Sequence, residues 1–375
     1  MDKLPVELVE NIVHYLGATA PIHRDLLEAS PLVNLASTCK GMKKVCERLQ
    51  FRGIIVDWKD LPDFLGKFQR LFSRDGNSSE AIQDVPEGLK WTRSFAFVAR
   101  SETRAVSSPV TEKSIQRAAL FLSRVLSKPT ELRKLSVTLP DTATRFNFKD
   151  AVNAAGGVPV FPLVTELVID QPSDFLLEHC PNVTSVTILG SLAKATATGI
   201  LADILSRIAK MEKVEKLEVH YKFCTQQLEI PYMPQIKHFQ VVGTMPGKDW
   251  RGLYRAAAAM YERMPQLHSL ALVVSGLEHA PSMALRKFQT ERVAENVTRT
   301  FLEEIPHLQQ FSLACITYSE EYLHYPKLLS CWEGRRDRNS KIGHYAEGFW
   351  LNRRDEIDLG LVRYKLWRPS HEGPP

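Results

Sequence analysis

Six cysteines and eleven histidines are the side chains of this chain with the widest chemical repertoire, and their spacing decides what they can do. Cys39, Cys46, Cys180, Cys224, Cys315 and Cys331 are scattered, and no two stand at the short separation of a metal knuckle or a redox motif. They read as buried thiols in a reducing compartment. The histidines are equally dispersed, and no HExxH, GxSxG or GxGxxG pattern occurs. Residues 243–249, GTMPGKD, have the outline of a phosphate loop. That loop is one residue short, and Asp249 stands where Ser or Thr must meet magnesium, so it reads as a turn. The sequence therefore offers no catalytic residue, no cofactor and no metal site, and the expected class is a non-enzymatic protein.

Binding is the chemistry left to consider. Arg335, Arg336, Arg338, Trp350, Arg353, Arg354, Tyr364, Trp367 and Arg368 interleave basic and aromatic side chains near the C-terminus. Such a mixture suits nucleic acid or acidic peptides, but acidic residues are interspersed. A closing strand pair, FWLNRR and LVRYKLW, is the expected role. Over the whole chain Lys+Arg 48 against Asp+Glu 43 leaves a formal charge of +5, too thin to imply nucleic acid. No apolar run approaches a membrane span and no signal-peptide pattern opens the chain, so neither a nucleic acid nor a membrane is an expected partner. The expected location is cytoplasmic, nuclear or both.

The elements that would position a binding surface follow from length and periodicity. At 375 residues the chain exceeds one ordinary core, which leaves two domains or a repeat array with an appendage. Its 44% hydrophobic and 24% charged residues are those of a folded globular protein.

Residues 4–16, LPVELVENIVHYL, place Leu4, Leu8, Ile12 and Leu16 four apart, with Pro5 suited to the first helical position. A second start signal at Ser30-Pro31 opens a short helix with Leu32, Leu35 and Ala36 inward, and Met42, Val45, Cys46 and Leu49 mark a third. Three short helices with such broad apolar stripes leave surface in need of a partner. Leu4-Pro5-x-Glu7-Leu8, Ile12, Tyr15-Leu16, Leu32, Leu35 and Cys39 resemble the F-box, the helical motif that docks on a Skp1-like adaptor. The resemblance covers about residues 3–50, and residues 17–29 read as an insertion that lengthens its first loop. It implies that Leu4, Pro5, Leu8, Ile12, Leu16, Leu32 and Leu35 carry the adaptor contact.

Beyond Phe51 the pattern changes to strands. GIIVDW (53–58) and FAFVA (95–99) read as strands on either side of a polar loop at 73–88. From about residue 115 a unit recurs in which a helical segment precedes apolar residues at a first, fourth and sixth position. The triplets are Leu132/Leu135/Val137, Val164/Leu167/Ile169, Val183/Val186/Ile188, Val214/Leu217/Val219, Ile236/Phe239/Val241, Leu267/Leu270/Leu272 and Leu308/Phe311/Leu313. Their central residues are 32, 19, 31, 22, 31 and 41 positions apart. Long steps have room for a helix, such as 200–211 and 253–264, and short ones only for a turn or brief helix. Pro162, Pro181, Pro234, Pro265 and Pro306 stand two residues before a triplet, where a helix must stop and a strand begin. This pattern resembles a degenerate leucine-rich repeat, although its ninth position lacks the usual Asn. The expected fold class is α/β: an N-terminal three-helix F-box followed by an irregular leucine-rich-repeat-like solenoid with a mainly parallel sheet. Its layout is a helical domain at 1–50, a transition segment at 51–114, the array at 115–330 and a capping segment at 331–375. An ordinary α/β domain is the alternative.

Side chains alternate along a strand, so residues between the triplet members face the opposite, concave surface. Asp170, Thr187, Leu189 and Glu218, with His220, Gln240, Val242 and Val273, are the expected substrate contacts. The combined resemblance, to F-box proteins with degenerate repeats, implies a substrate-recognition subunit of an SCF-type ubiquitin ligase. Its partners would be the Skp1-like adaptor, through it cullin and RING subunits, and an unidentified protein substrate. The alternative is a protein-binding repeat scaffold that does not promote ubiquitination.

Overall fold

Among the described residues, several strands are entered through a tight turn, and the turn explains the prolines. Val164 N–H donates to Phe161 O, Val183 to Cys180, Ile236 to Met233 and Leu267 to Met264, at 3.0 to 3.3 Å. Pro162, Pro181, Pro234 and Pro265 thus occupy the second position of a β-turn, where a fixed φ near −65° is preferred and no N–H is needed. The first turn residue is itself core: Phe161, Cys180, Met233 and Met264 are all buried. The repeated unit therefore carries a fourth apolar position three residues ahead of the triplet.

The computed structural model describes residues 52–58, 87–99, 112–139, 147–189, 197–220, 230–244, 262–275, 295–303, 305, 307–317, 327–336 and 342–351. The three N-terminal helices and the seven adaptor residues read from the sequence lie outside these. The chain forms two compact units, divided between Thr184 and Ser185.

The first unit holds β1 (Gly53–Trp58), β2 (Ser94–Ala99), β3 (Lys134–Thr138) and β4 (Glu166–Ile169), parallel and in chain order. β1 and β2, the strands expected of a transition segment, pair in the same parallel ladder as β3 and β4. Phe95, Leu135 and Leu167 are in register, as are Phe97, Val137 and Ile169, and all six are buried. Helix α1 (Glu112–Leu126) packs over them, because Ile115, Ala118, Ala119, Leu122 and Val125 recur at helical spacing and are all at most 1% exposed. Its Phe121 ring lies 6.0 Å from that of Phe97. Helix α2 (Phe148–Ala154) follows, capped by Asn147, whose side chain accepts Asp150 N–H at 3.2 Å. The short step after β4 has room only for a 3-10 helix, Gln171–His179, and its Phe175 ring meets Phe148 at 6.2 Å.

The second unit holds β5 (Ser185–Ile188), helix α3 (Ala197–Ile208), β6 (Lys216–His220), β7 (His238–Thr244), β8 (Ser269–Ser275) and β9 (Gln310–Thr317). Its strands are parallel from β5 to β9. Val186, Leu217, Phe239, Leu270 and Phe311 form one buried register row, and Ile188, Val219, Val241, Leu272 and Leu313 the next. Every member of the seven triplets is at most 3% exposed. Each such side chain gains roughly 1.5–3 kcal/mol on leaving water, so these rows are the main cohesive element of both units. Helix α3 falls three residues earlier than the expected 200–211, and most of 253–264 lies outside the described residues.

The last two strands, β10 (Lys327–Arg336) and β11 (Ile342–Leu351), are antiparallel to their neighbours. Of the expected closing pair, FWLNRR and LVRYKLW, only part lies within the described residues. β11 includes Phe349, Trp350 and Leu351, but its partner precedes it and LVRYKLW lies outside the described residues. Trp332 and Gly334 alternate inward on β10, and Trp332 opposes Leu313 of β9. The fold is α/β with mostly parallel strands and few helices.

Candidate functional site

Strand alternation places two kinds of surface at the strands: the face opposite the core rows and the rim where the strands begin. On the opposite face of the second unit, Thr187, Glu218, Gln240, Ala271 and Ser312 stand in one register row. Thr187 is 2% exposed, Glu218 6%, Gln240 1% and Ser312 1%. Three of the expected substrate contacts are therefore buried polar groups of a closed face. The next row runs His220, Val242 and Val273, whose side chains are outside the described residues. Leu189, just past β5, is half-buried. Among the described residues Ser312 Oγ is a buried hydroxyl with no hydrogen-bond partner.

Asp170 belongs to the first unit, and its carboxylate is engaged. It caps the 3-10 helix by accepting Ser173 N–H at 3.2 Å, while Ser173 Oγ lies 2.8 Å away. Asp170 N–H donates to Ser173 Oγ at 3.0 Å, completing a capping box, and Leu139 N–H donates to the other carboxylate oxygen. Burial raises the carboxyl from 3.8 to about 7 against the opposing pull of these donors. The residue thus ties β3 to the helix that follows β4.

Other titratable groups are equally structural in their surroundings. Burial pushes the Cys180 thiol up to about 12 at the first position of its turn, which makes it inert at neutral pH. Burial, with Lys216 nearby, lowers His238 to about 4, so its imidazole is neutral. Lys237 Nζ lies 2.5 Å from Glu215, holding that carboxyl below its usual range. Gly243 and Thr244 of the phosphate-loop-like stretch belong to β7, and 245–249 lie outside the described residues. Among the described residues no group of three His, Cys, Asp or Glu side chains gathers where a metal could sit, and no helix is long and apolar enough to cross a membrane.

Exposed charge gathers instead on the rim. The residues just before β1, β2 and β3, Arg52, Arg93 and Arg133, are exposed, as are Thr165 and Thr184 in the same unit and His268 and Gln309 in the second, whereas Glu215 and Lys237 at the same position are half-buried. Sequence reasoning passed over these positions because it compared only the apolar ones. A tabulation of the residue after each first apolar position would have found Arg133, whereas Arg52 and Arg93 lie ahead of the seven triplets.

Set against known proteins, the chain matches no family model and no curated protein.

Proposed function

We propose that this protein is a non-catalytic substrate receptor of an SCF-type ubiquitin ligase, whose N-terminal helices hold a Skp1-like adaptor and whose strand array holds a protein. The observation that carries the proposal is the N-terminal pattern Leu4-Pro5-x-Glu7-Leu8 with Ile12, Leu16, Leu32 and Leu35. It precedes a chain built of one recurrent unit, a turn followed by a parallel strand with a buried triplet. That architecture supports an irregular leucine-rich-repeat-like solenoid, an arrangement suited to presenting a long surface to another protein.

In this role the chain accelerates transfer by proximity. A lysine of the bound partner meets a ubiquitin thioester supplied by other subunits at high effective concentration, with no catalytic group from this chain. Reconstitution with adaptor, cullin, RING subunit and a captured partner tests the step. Ubiquitin transfer that depends on this protein supports the receptor, and capture without transfer favours the scaffold alternative.

A further inference from the structure

We propose that the strand-entry rim of the first unit, formed by Arg52, Arg93 and Arg133, is a docking surface for an extended acidic segment of a partner protein. The backbone fixes the register. Arg52 O accepts Arg93 N–H at 2.9 Å and Ser94 N–H at 3.0 Å, and Arg93 O accepts Arg133 N–H at 2.8 Å and Lys134 N–H at 2.9 Å. The three arginines therefore stand one per strand on neighbouring rungs, roughly 4.8 Å apart. All three are exposed, while Thr92 and Leu132 just before them are buried.

Like charges on neighbouring strands repel, and the other charged rim positions avoid this. Lys134 pairs with Glu166 at 3.4 Å on the adjoining row, and Lys237 with Glu215 at 2.5 Å on the corresponding row of the second unit. In the arginine row only Arg93 is compensated, by Glu131 at 2.9 Å. Among the described residues Arg52 and Arg133 have no ion-pair partner. Exposed Lys90, in the 3-10 helix Glu87–Trp91 that precedes β2, adds a further cation three residues before Arg93 and lies 5.6 Å from the centre of the Trp91 ring. Two exposed arginines of one row that no ion pair among the described residues uses point to a ligand that neutralises them.

Guanidinium forks bind carboxylates through two parallel hydrogen bonds. The row spans roughly 10 Å, the length of about three extended residues, which fits a short run of Asp and Glu. Nucleic acid fits less well: the whole chain carries only +5, and the one aromatic ring at this rim, among the described residues, already faces Lys90. The inference goes beyond the receptor proposal and stands without it.

The test uses the full chain and no adaptor. A fluorescent peptide of alternating Asp and Glu is titrated by anisotropy, beside a single-stranded oligothymidine of equal length. Wild type should bind the peptide, more weakly as salt rises. Arg52→Glu with Arg133→Glu should weaken it by about tenfold or more, while Arg299→Glu in the second unit should leave it unchanged. Circular dichroism confirms folding, and Arg52→Gln with Arg133→Gln replaces the reversal if the latter unfolds. Peptide binding that is absent in wild type or unchanged in the folded variant overturns the proposal. Tighter binding of the oligothymidine through the same arginines also overturns it.

Discussion

The carboxylate of Asp170 accepts the backbone N–H of Leu139, thirty-one residues earlier in the chain, and so joins the end of one strand to the helix that follows the next. Asp170, an expected substrate contact, is buried and serves as a cap that links two successive strand segments of the first unit. Its chemistry is nonetheless measurable.

Because burial raises Asp170 to about 7 in the folded protein, the folded state holds its proton more tightly than the unfolded chain. Its contribution to stability is fully present below the unfolded value near 4 and is lost as pH rises through about 7. Denaturant melts should show a decline on the order of 4 kcal/mol at most across that window, and Asp170→Asn should flatten it. Asp170→Ala should cost about 1–3 kcal/mol at pH 5, because the N–H groups of Leu139 and Ser173 lose their acceptor. A pH dependence that survives Asp170→Asn would assign the decline to another group.

Leu270 of β8 is fully buried between Phe239 and Phe311 in the second unit's register row. Leu270→Ala should cost about 2–5 kcal/mol through lost transfer energy and a cavity. Leu163→Ala, at a position 50% exposed in the turn before β4, should stay within about 0.5 kcal/mol. Paired urea melts read the difference, and equal losses would contradict the placement of the core.

Cys180 should resist alkylation in the native protein at neutral pH and react once the chain is unfolded, since its thiol is buried and pushed up to about 12. Peptide mapping by mass spectrometry after iodoacetamide treatment follows this one residue among the six cysteines. Rapid native labelling of Cys180 would show that its turn opens.

Much of this fold was legible in the sequence because the core positions obey one rule. Leu, Val, Ile or Phe at a first, fourth and sixth position must leave water together, and each such triplet became a buried strand entry. The prolines were legible as boundaries, while their exact place in a β-turn was hidden, because the apolar residue opening the turn is variously Phe161, Cys180, Met233 or Met264. The opposite face was harder to read. Alternation assigns Thr187, Glu218 and Gln240 to that face, but nothing in a single strand says whether the face is open to water, and all three are buried.

Adaptor binding is the claim on which the proposed function turns, and co-purification measures it. Full-length wild type, Leu8→Asp and Leu270→Ala are each co-expressed with a Skp1-like adaptor and recovered through a tag on the adaptor, with circular dichroism as the control for folding. Wild type should be recovered and Leu8→Asp lost by at least about tenfold, since a charge would enter an apolar contact. Leu270→Ala should be retained wherever it remains folded. Wild type that fails to co-purify, or equal recovery of Leu8→Asp, contradicts the receptor.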